Sequence, residues 1–296
     1  MTGFGARLRA ALDQHGPLCV GIDPHEHLLT EWGLDASADG VREFGLRVVD
    51  AAAGRVGIVK PQVAFFERFG SRGFAALEDV LAAARAAGLI VIADAKRGDI
   101  GSTMDGYATA WLAPGSPLEA DAVTLSPYLG PDSLRATLTT AVRHGKGAFV
   151  LAATSNPEAY PVQSARTIDV AGTDDQSVAE RVARDIGWIN GSAAFEGGLG
   201  PIGLVVGATV DRTVIGLPDD ALRDAPILAP GFGAQGAEPA DLARLFGELA
   251  SQVIASESRS ILSAGPDGIA ARIEERGALY REALSGEDLY GGGSDA

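Results

Sequence analysis

Ile92-Ala93-Asp94-Ala95-Lys96-Arg97-Gly98-Asp99-Ile100 is the stretch on which the fold turns. The apolar, β-branched run that leads into it, from Gly88, follows an alanine-rich helical pattern and reads as a buried strand of parallel type. Side chains alternate along a strand, so Asp94 and Lys96 are expected on one face. Gly98 then turns the chain, and Asp99 is expected to come back near both. A carboxylate, an ammonium and a second carboxylate would so gather at a strand's C-terminal end. The plain alternative is a surface ion-pair cluster, which is common and weak. Composition favours chemistry. The only lysines are Lys60, Lys96 and Lys146 in a chain that otherwise uses arginine. An arginine would serve a structural pair equally well, whereas a lysine ammonium can give up its proton.

Working outward, the same unit repeats. Leu18–Asp23 reads as strand one, Gly57–Pro61 as strand two, the stretch just quoted as strand three and Ala122–Leu125 as strand four. Gly147–Ala152, Ile202–Gly207, Pro226–Ala229 and Ser260–Ser263 follow as strands five to eight. Helical spacing fills the gaps: Val41, Phe44 and Val48 after a Ser37 N-cap, Leu77, Val80 and Leu81 before Gly88, and Leu242, Leu245 and Leu249 before strand eight. Eight strands each followed by helix are the count of a (β/α)8 TIM barrel, whose active sites lie at C-terminal strand ends. No composition break divides residues 1–290, so a single domain is predicted. It carries an insertion around 156–195, turn-rich and polar at its start, and a glycine-rich tail over 291–296.

Length and charge bound the partners. With 296 residues and 46% hydrophobic content the chain can bury a large core. A net charge of −15 argues against nucleic acid and anionic membranes. Met1–Gly16 reads as an amphipathic helix without a signal-peptide core, and no run of about 18 apolar residues occurs, which predicts a soluble, cytoplasmic protein. Cys19, alone, excludes an intrachain disulfide and reads as a small buried hydrophobe. His25 and His27 read as surface residues, because two histidines in a loop without placed carboxylates are thin support for a metal site. Gly231-Phe-Gly-Ala-Gln-Gly236 and Gly198-Leu-Gly-Pro-Ile-Gly203 match G-x-G-x-x-G but not its strand–turn–helix context, so no nicotinamide cofactor is predicted. In a barrel, a glycine turn after strand seven suits phosphate, and Pro230, Gly233 and Gln235 with Arg259 fit that role. A rim salt bridge is the structural alternative for Arg259.

Asp94-Ala-Lys96-Arg-Gly-Asp99-Ile100-Gly-Ser-Thr103 resembles the signature of the orotidine 5′-phosphate decarboxylases, in the form of their longer bacterial branch. Gly21-Ile-Asp23, Val59-Lys60-Pro61, Ala153-Thr-Ser155-Asn-Pro157, Pro230-Gly-Phe-Gly-Ala-Gln235 and Ser258-Arg259-Ser-Ile261 continue the resemblance in order along the chain. It implies a homodimeric barrel that converts orotidine 5′-phosphate to UMP and CO2, the last step of UMP biosynthesis, with no cofactor and no metal. Asp23 and Lys60 would hold ribose hydroxyls, with Lys60 also tied to the acids. Asp94 would lie beside the substrate carboxylate, and Lys96 would supply the proton. Asp99, Ile100 and Thr103 would be lent across the dimer interface, Gly98 having turned the chain outward. Ser155 would contact the pyrimidine, with Pro230, Gln235 and Arg259 serving the base side and the phosphate. Two other functions compete: a magnesium-dependent sugar-phosphate lyase or aldolase on a related barrel, and a non-catalytic nucleotide-phosphate sensor. A sensor has no need of a proton donor between acids.

Overall fold

Eight short β-branched segments, each too apolar on both faces to meet water, bury themselves by pairing in sequence order. The computed structural model, which describes residues 2–168, 175–191, 198–223 and 225–285, is a closed parallel barrel with helices between its strands. The strands are β1 (Leu18–Ile22), β2 (Ile58–Pro61), β3 (Ile90–Arg97), β4 (Ala122–Leu125), β5 (Gly147–Ala153), β6 (Ile202–Val206), β7 (Ile227–Pro230) and β8 (Val253–Glu257). β8 returns to β1 through Leu18↔Ala255, which closes the sheet. The (β/α)8 class and the single domain read from the sequence are thus found. The tail at 291–296 and part of the segment around 156–195 lie outside the described residues.

Alternation divides the core in two. Cys19, Ile58, Ile92, Phe149, Val205, Leu228 and Ile254 form one cluster with Phe4, Leu8 and Leu12 of the helix Phe4–His15. Their neighbours Val20, Val59, Val91, Ala93, Val150, Leu204 and Val253 belong to the cluster beneath the outer helices. The first set therefore fills the barrel interior, and the N-terminal helix plugs its lower end. Phe4 meets Phe149 edge-on with centroids 6.1 Å apart. Glycine makes the plug possible: a Cβ at Gly147 would stand 2.3 Å from the Phe4 ring. Burying each such large apolar side chain stabilises the fold by roughly 1.5–3 kcal/mol. Cys19 sits in this interior, and burial pushes its thiol up to about 12, the inert state expected of a packed cysteine.

Two expectations are corrected. Ser260–Ser263 is not strand eight; Arg259–Leu262 forms a short helix, and β8 lies earlier, at Val253–Glu257. The reason is local. The helix carrying Leu242 stops at Phe246 because Gly247 takes a left-handed φ of 51°, and a 3-10 stretch Gly247–Gln252 leads into β8. Arg259 therefore follows the C-terminal end of strand eight, in the helix after it, rather than standing at the strand's start. Lys96, for its part, does not sit on a regular strand. Register along β3 and β4 jumps from Ala93↔Val123 to Arg97↔Leu125, and Lys96 adopts φ 47°. Extra residues in one strand of a pair re-aim side chains at a barrel rim.

The helix Val178–Gly191 packs against β5 and β6 with Val182 and Ile186 buried, as a barrel helix does. No helix among the described residues is long and apolar enough to cross a membrane.

Candidate active site at the barrel mouth

Interior parity, apolar at the plugged end, turns polar at the other. Lys60 lies two residues beyond Ile58, Asp94 beyond Ile92, Thr124 beyond Ala122, and Ser256 beyond Ile254, all on the inward face. They floor a cavity of about 520 Å³ at the C-terminal ends of the strands. Its walls include Asp23, His25, Gln62, Lys96, Ser155, Pro230, Gln235, Ser258 and Arg259.

Asp94 is the centre. Only 8% of the residue is exposed, and its two oxygens are shared out. Lys60 Nζ donates to Oδ2 at 2.9 Å, and Lys96 Nζ donates to Oδ1 at 2.6 Å. Thr124 Oγ1 also donates to Oδ1 at 2.9 Å while accepting the Lys96 backbone N–H at 2.9 Å. Burial alone would raise the Asp94 carboxyl, but Lys60 and Lys96 hold it well below the usual carboxylate range. Lys60 mirrors it: burial alone would discharge it, and Asp94 with Asp23 keeps the ammonium charged well above its ordinary value. The lysines differ in access. The Lys60 side chain is 8% exposed, whereas that of Lys96 is 46% exposed into the mouth. One cation is structural support, and the other is presented.

The shifts fix a pH dependence. Asp94, with its pKa depressed, adds stability above the ordinary carboxyl value of 3.8, lost only as pH falls through its folded value. Lys60, with its pKa raised, adds stability below 10.5, lost only as pH rises past its folded value. The pair is therefore charged throughout the neutral range. Lys60→Met, which strands Asp94 on a single cation, should cost about 3–5 kcal/mol of folding stability. Denaturant melts should return the same cost at pH 5 and pH 9. A cost that fades within that interval would show that the pair titrates there.

Of the residues singled out from sequence, Asp23, Lys60, Asp94, Lys96, Ser155, Pro230, Gln235 and Arg259 come together around the cavity. Gly233 lies in the same turn, with φ 67°, but is not one of the lining residues. Asp99 does not come back to Asp94 and Lys96. Its carboxylate accepts the Ile100 N–H at 2.8 Å, its own N–H faces Met104 Sδ, and it is outside the lining. The chain leaves the barrel after Arg97 to start the helix Gly101–Leu112, so Ile100 and Thr103 are exposed beside it. His25, expected on the surface, instead lines the mouth, its ring 4.3 Å from that of Phe65. Burial lowers its pKa, and Arg259 and Arg68 press the same way. Thr124 and Ser256 were missed; a lone polar residue at inward parity was the signal for Thr124, and misplacing strand eight hid Ser256.

Two buried oxygens in this mouth, Asp23 Oδ1 and Ser258 Oγ, have no hydrogen-bond partner among the described residues. Buried polar atoms are nearly always paired, so such atoms facing a cavity suit a ligand. Among the described residues no group of three or more His, Cys, Asp or Glu side chains is placed to hold a metal ion.

The model of the Orotidine 5′-phosphate decarboxylase / HUMPS family matches residues 16–272. An orotidine 5′-phosphate decarboxylase of Salinispora tropica is 51% identical over 272 residues, covering 92% of this chain and 94% of its own. One from a Nocardioides species is 52% identical over 262 residues, 88% of this chain and 92% of its own. Among solved structures, a chain from Streptomyces avermitilis superposes with a TM-score of 0.89 at 46% identity, covering 96% of this chain and 97% of its own. The OMP decarboxylase of Leishmania donovani gives 0.71 at 29% identity, covering 96% and 98%.

Proposed function

The chain belongs to the orotidine 5′-phosphate decarboxylase / HUMPS family, and from that premise we propose that it converts orotidine 5′-phosphate to UMP and CO2, the last step of UMP biosynthesis, without a cofactor. The observation that carries the reading is the row Lys60–Asp94–Lys96, in which a buried carboxylate presents an accessible ammonium to the cavity. Loss of CO2 from the pyrimidine C6 leaves an electron pair on a ring carbon with no good electron sink. A pre-placed cation stabilises that charge as it develops, and a lysine can then donate its proton to the carbon. Asp94 keeps the ammonium oriented until that step and sets a negative charge beside the substrate carboxylate.

Substrate placement follows from the other walls. The unpartnered Asp23 Oδ1 suits a ribose hydroxyl, with Lys60 beside it. Ser155 lies at the base side. Pro230, the Gly233 turn and Gln235 face Arg259 at the far rim, and that end suits the phosphate. Arg259 is exposed and forms no salt bridge among the described residues, so its guanidinium is available to a phosphate fork. Arg259→Ala should lower kcat/KM for the phosphorylated substrate by about a hundred-fold or more, while changing that for the phosphate-free nucleoside little. Equal losses on both substrates would make Arg259 structural.

The functional unit in this reading is a homodimer that lends Asp99, Ile100 and Thr103 to the partner's mouth. Support comes from the outward course of this segment and from its apolar surroundings. Ile100, Tyr128 and Leu129 are 61%, 85% and 52% exposed on the loops that follow β3 and β4. Chromatography of a reaction with orotidine 5′-phosphate tests the assignment. UMP and CO2 should appear in equal amounts; a carbonyl fragment cleaved from a sugar phosphate would favour the lyase, and no turnover the sensor.

A further inference from the structure

Glu257 ends β8 with its side chain on the outer face, opposite in parity to the cavity-lining Ser256, and it is 1% exposed. All its partners are donors. Arg276 Nη2 and Tyr280 Oη donate to Oε1 at 2.8 and 2.6 Å, and Ser260 Oγ donates to Oε2 at 2.6 Å. Arg276 Nε lies between the two oxygens, at 3.1 and 3.0 Å. Arg276 also reaches Glu238 Oε2 at 2.9 Å. None of these groups lines the cavity except through neighbours, and the decarboxylation chemistry uses none of them. Burying an ion pair so completely is seldom the cheapest way to stabilise a core.

What the carboxylate abuts gives it a use. Ser260, which it holds, is the residue after Arg259. Gly233, in the turn on the other side of the rim, approaches so closely that a Cβ would stand 2.4 Å from Ser260 Oγ and 2.8 Å from Glu257 Oε2. That turn is closed on itself by Gly233 N–H to Ala237 O at 2.7 Å. The Phe232 ring packs edge-on to Tyr280 with centroids 5.6 Å apart. The turn bearing Gln235 and the turn bearing Arg259 thus lean on one carboxylate. We propose that Glu257, clamped by Arg276 and Tyr280, is a positioning residue for phosphate recognition, fixing the spacing between the Gly231–Gln235 turn and Arg259. The proposal rests on the assignment of that rim to the substrate phosphate.

A carboxamide cannot replace this carboxylate. Whichever way Gln is turned, its NH2 faces an Arg276 N–H, so one contact becomes a donor–donor clash and the turns must shift. Charge works the other way: removing the anion leaves Arg276 in excess, which by itself would favour a bound dianion. The direction of the change therefore separates position from charge.

The test is calorimetric titration of folded, full-length protein with UMP and with uridine. Wild type should prefer UMP strongly; no preference would overturn the phosphate assignment, and this proposal with it. Glu257→Gln should weaken UMP about ten-fold and leave uridine unchanged. Tyr280→Phe, a milder change that decides the matter if Glu257→Gln does not fold, should weaken UMP about three-fold, again with uridine unchanged. A lower Tm with an unaltered UMP-to-uridine ratio would reduce Glu257 to a structural strut, and tighter UMP binding would mean that it acts through charge. Either overturns the proposal while leaving the wild-type preference, and so the phosphate assignment, intact.

Discussion

Lys96→Ala is expected to remove decarboxylation by a factor on the order of 10⁴ or more while leaving UMP bound within a few-fold of wild type. The size follows from the double duty of one group. As a pre-placed charge beside the developing carbanion it resembles an oxyanion-hole donor, worth about 10²–10³ in rate, and as proton donor it adds about 10²–10⁴. Binding should survive because the rim proposed for the phosphate is built from other elements, β7, β8 and their turns. Lys60 cannot substitute: it is buried on the far side of Asp94 and already engaged with Oδ2. Lys96→Arg should also be inactive, since guanidinium keeps the charge but does not release a proton near neutral pH. Turnover near wild type in either variant would remove Lys96 from the mechanism.

Mixing inactive Lys96→Ala and Asp99→Ala subunits should restore about a quarter of full activity. Random pairing makes about half of all dimers mixed. In each mixed dimer one mouth carries both lesions, while the other combines an intact Lys96 with an intact Asp99 from its partner. The motive is geometric as well as familial, because within one subunit Asp99 reaches neither Asp94 nor Lys96 and its segment runs outward. Were Asp99 to serve its own mouth, every site would keep one lesion and nothing would return. Subunit exchange, checked by mass-tagged chains, makes a null result decisive for the same-subunit arrangement.

The barrel was legible because its strands obey a simple rule: short β-branched runs between helical periods, repeated to the number that closes a sheet. The site was legible where a charged residue broke an apolar run at a strand's C-terminal end, as at Asp23, Lys60 and Asp94. Strand eight escaped because Glu257 looks like a solvent-facing residue, and only the folded partners Arg276 and Tyr280 show why it is buried. Lys96 does stand beside Asp94, as alternation predicts, but not by alternation. Strict alternation would need a regular strand, whereas the real contact is made through a register jump and a positive φ that local sequence does not announce. His25 departs from its surface expectation for a related reason, since a loop's direction depends on what it packs against, here Phe65.

Decarboxylation by the chain's own lysine without a metal is tested by following the absorbance of orotidine 5′-phosphate with chelator-treated wild-type enzyme and Lys96→Ala side by side. The chelated wild type should keep an undiminished rate, and the variant should show no measurable change. Activity that vanishes on chelation and returns with added magnesium, or that persists in Lys96→Ala, would contradict it.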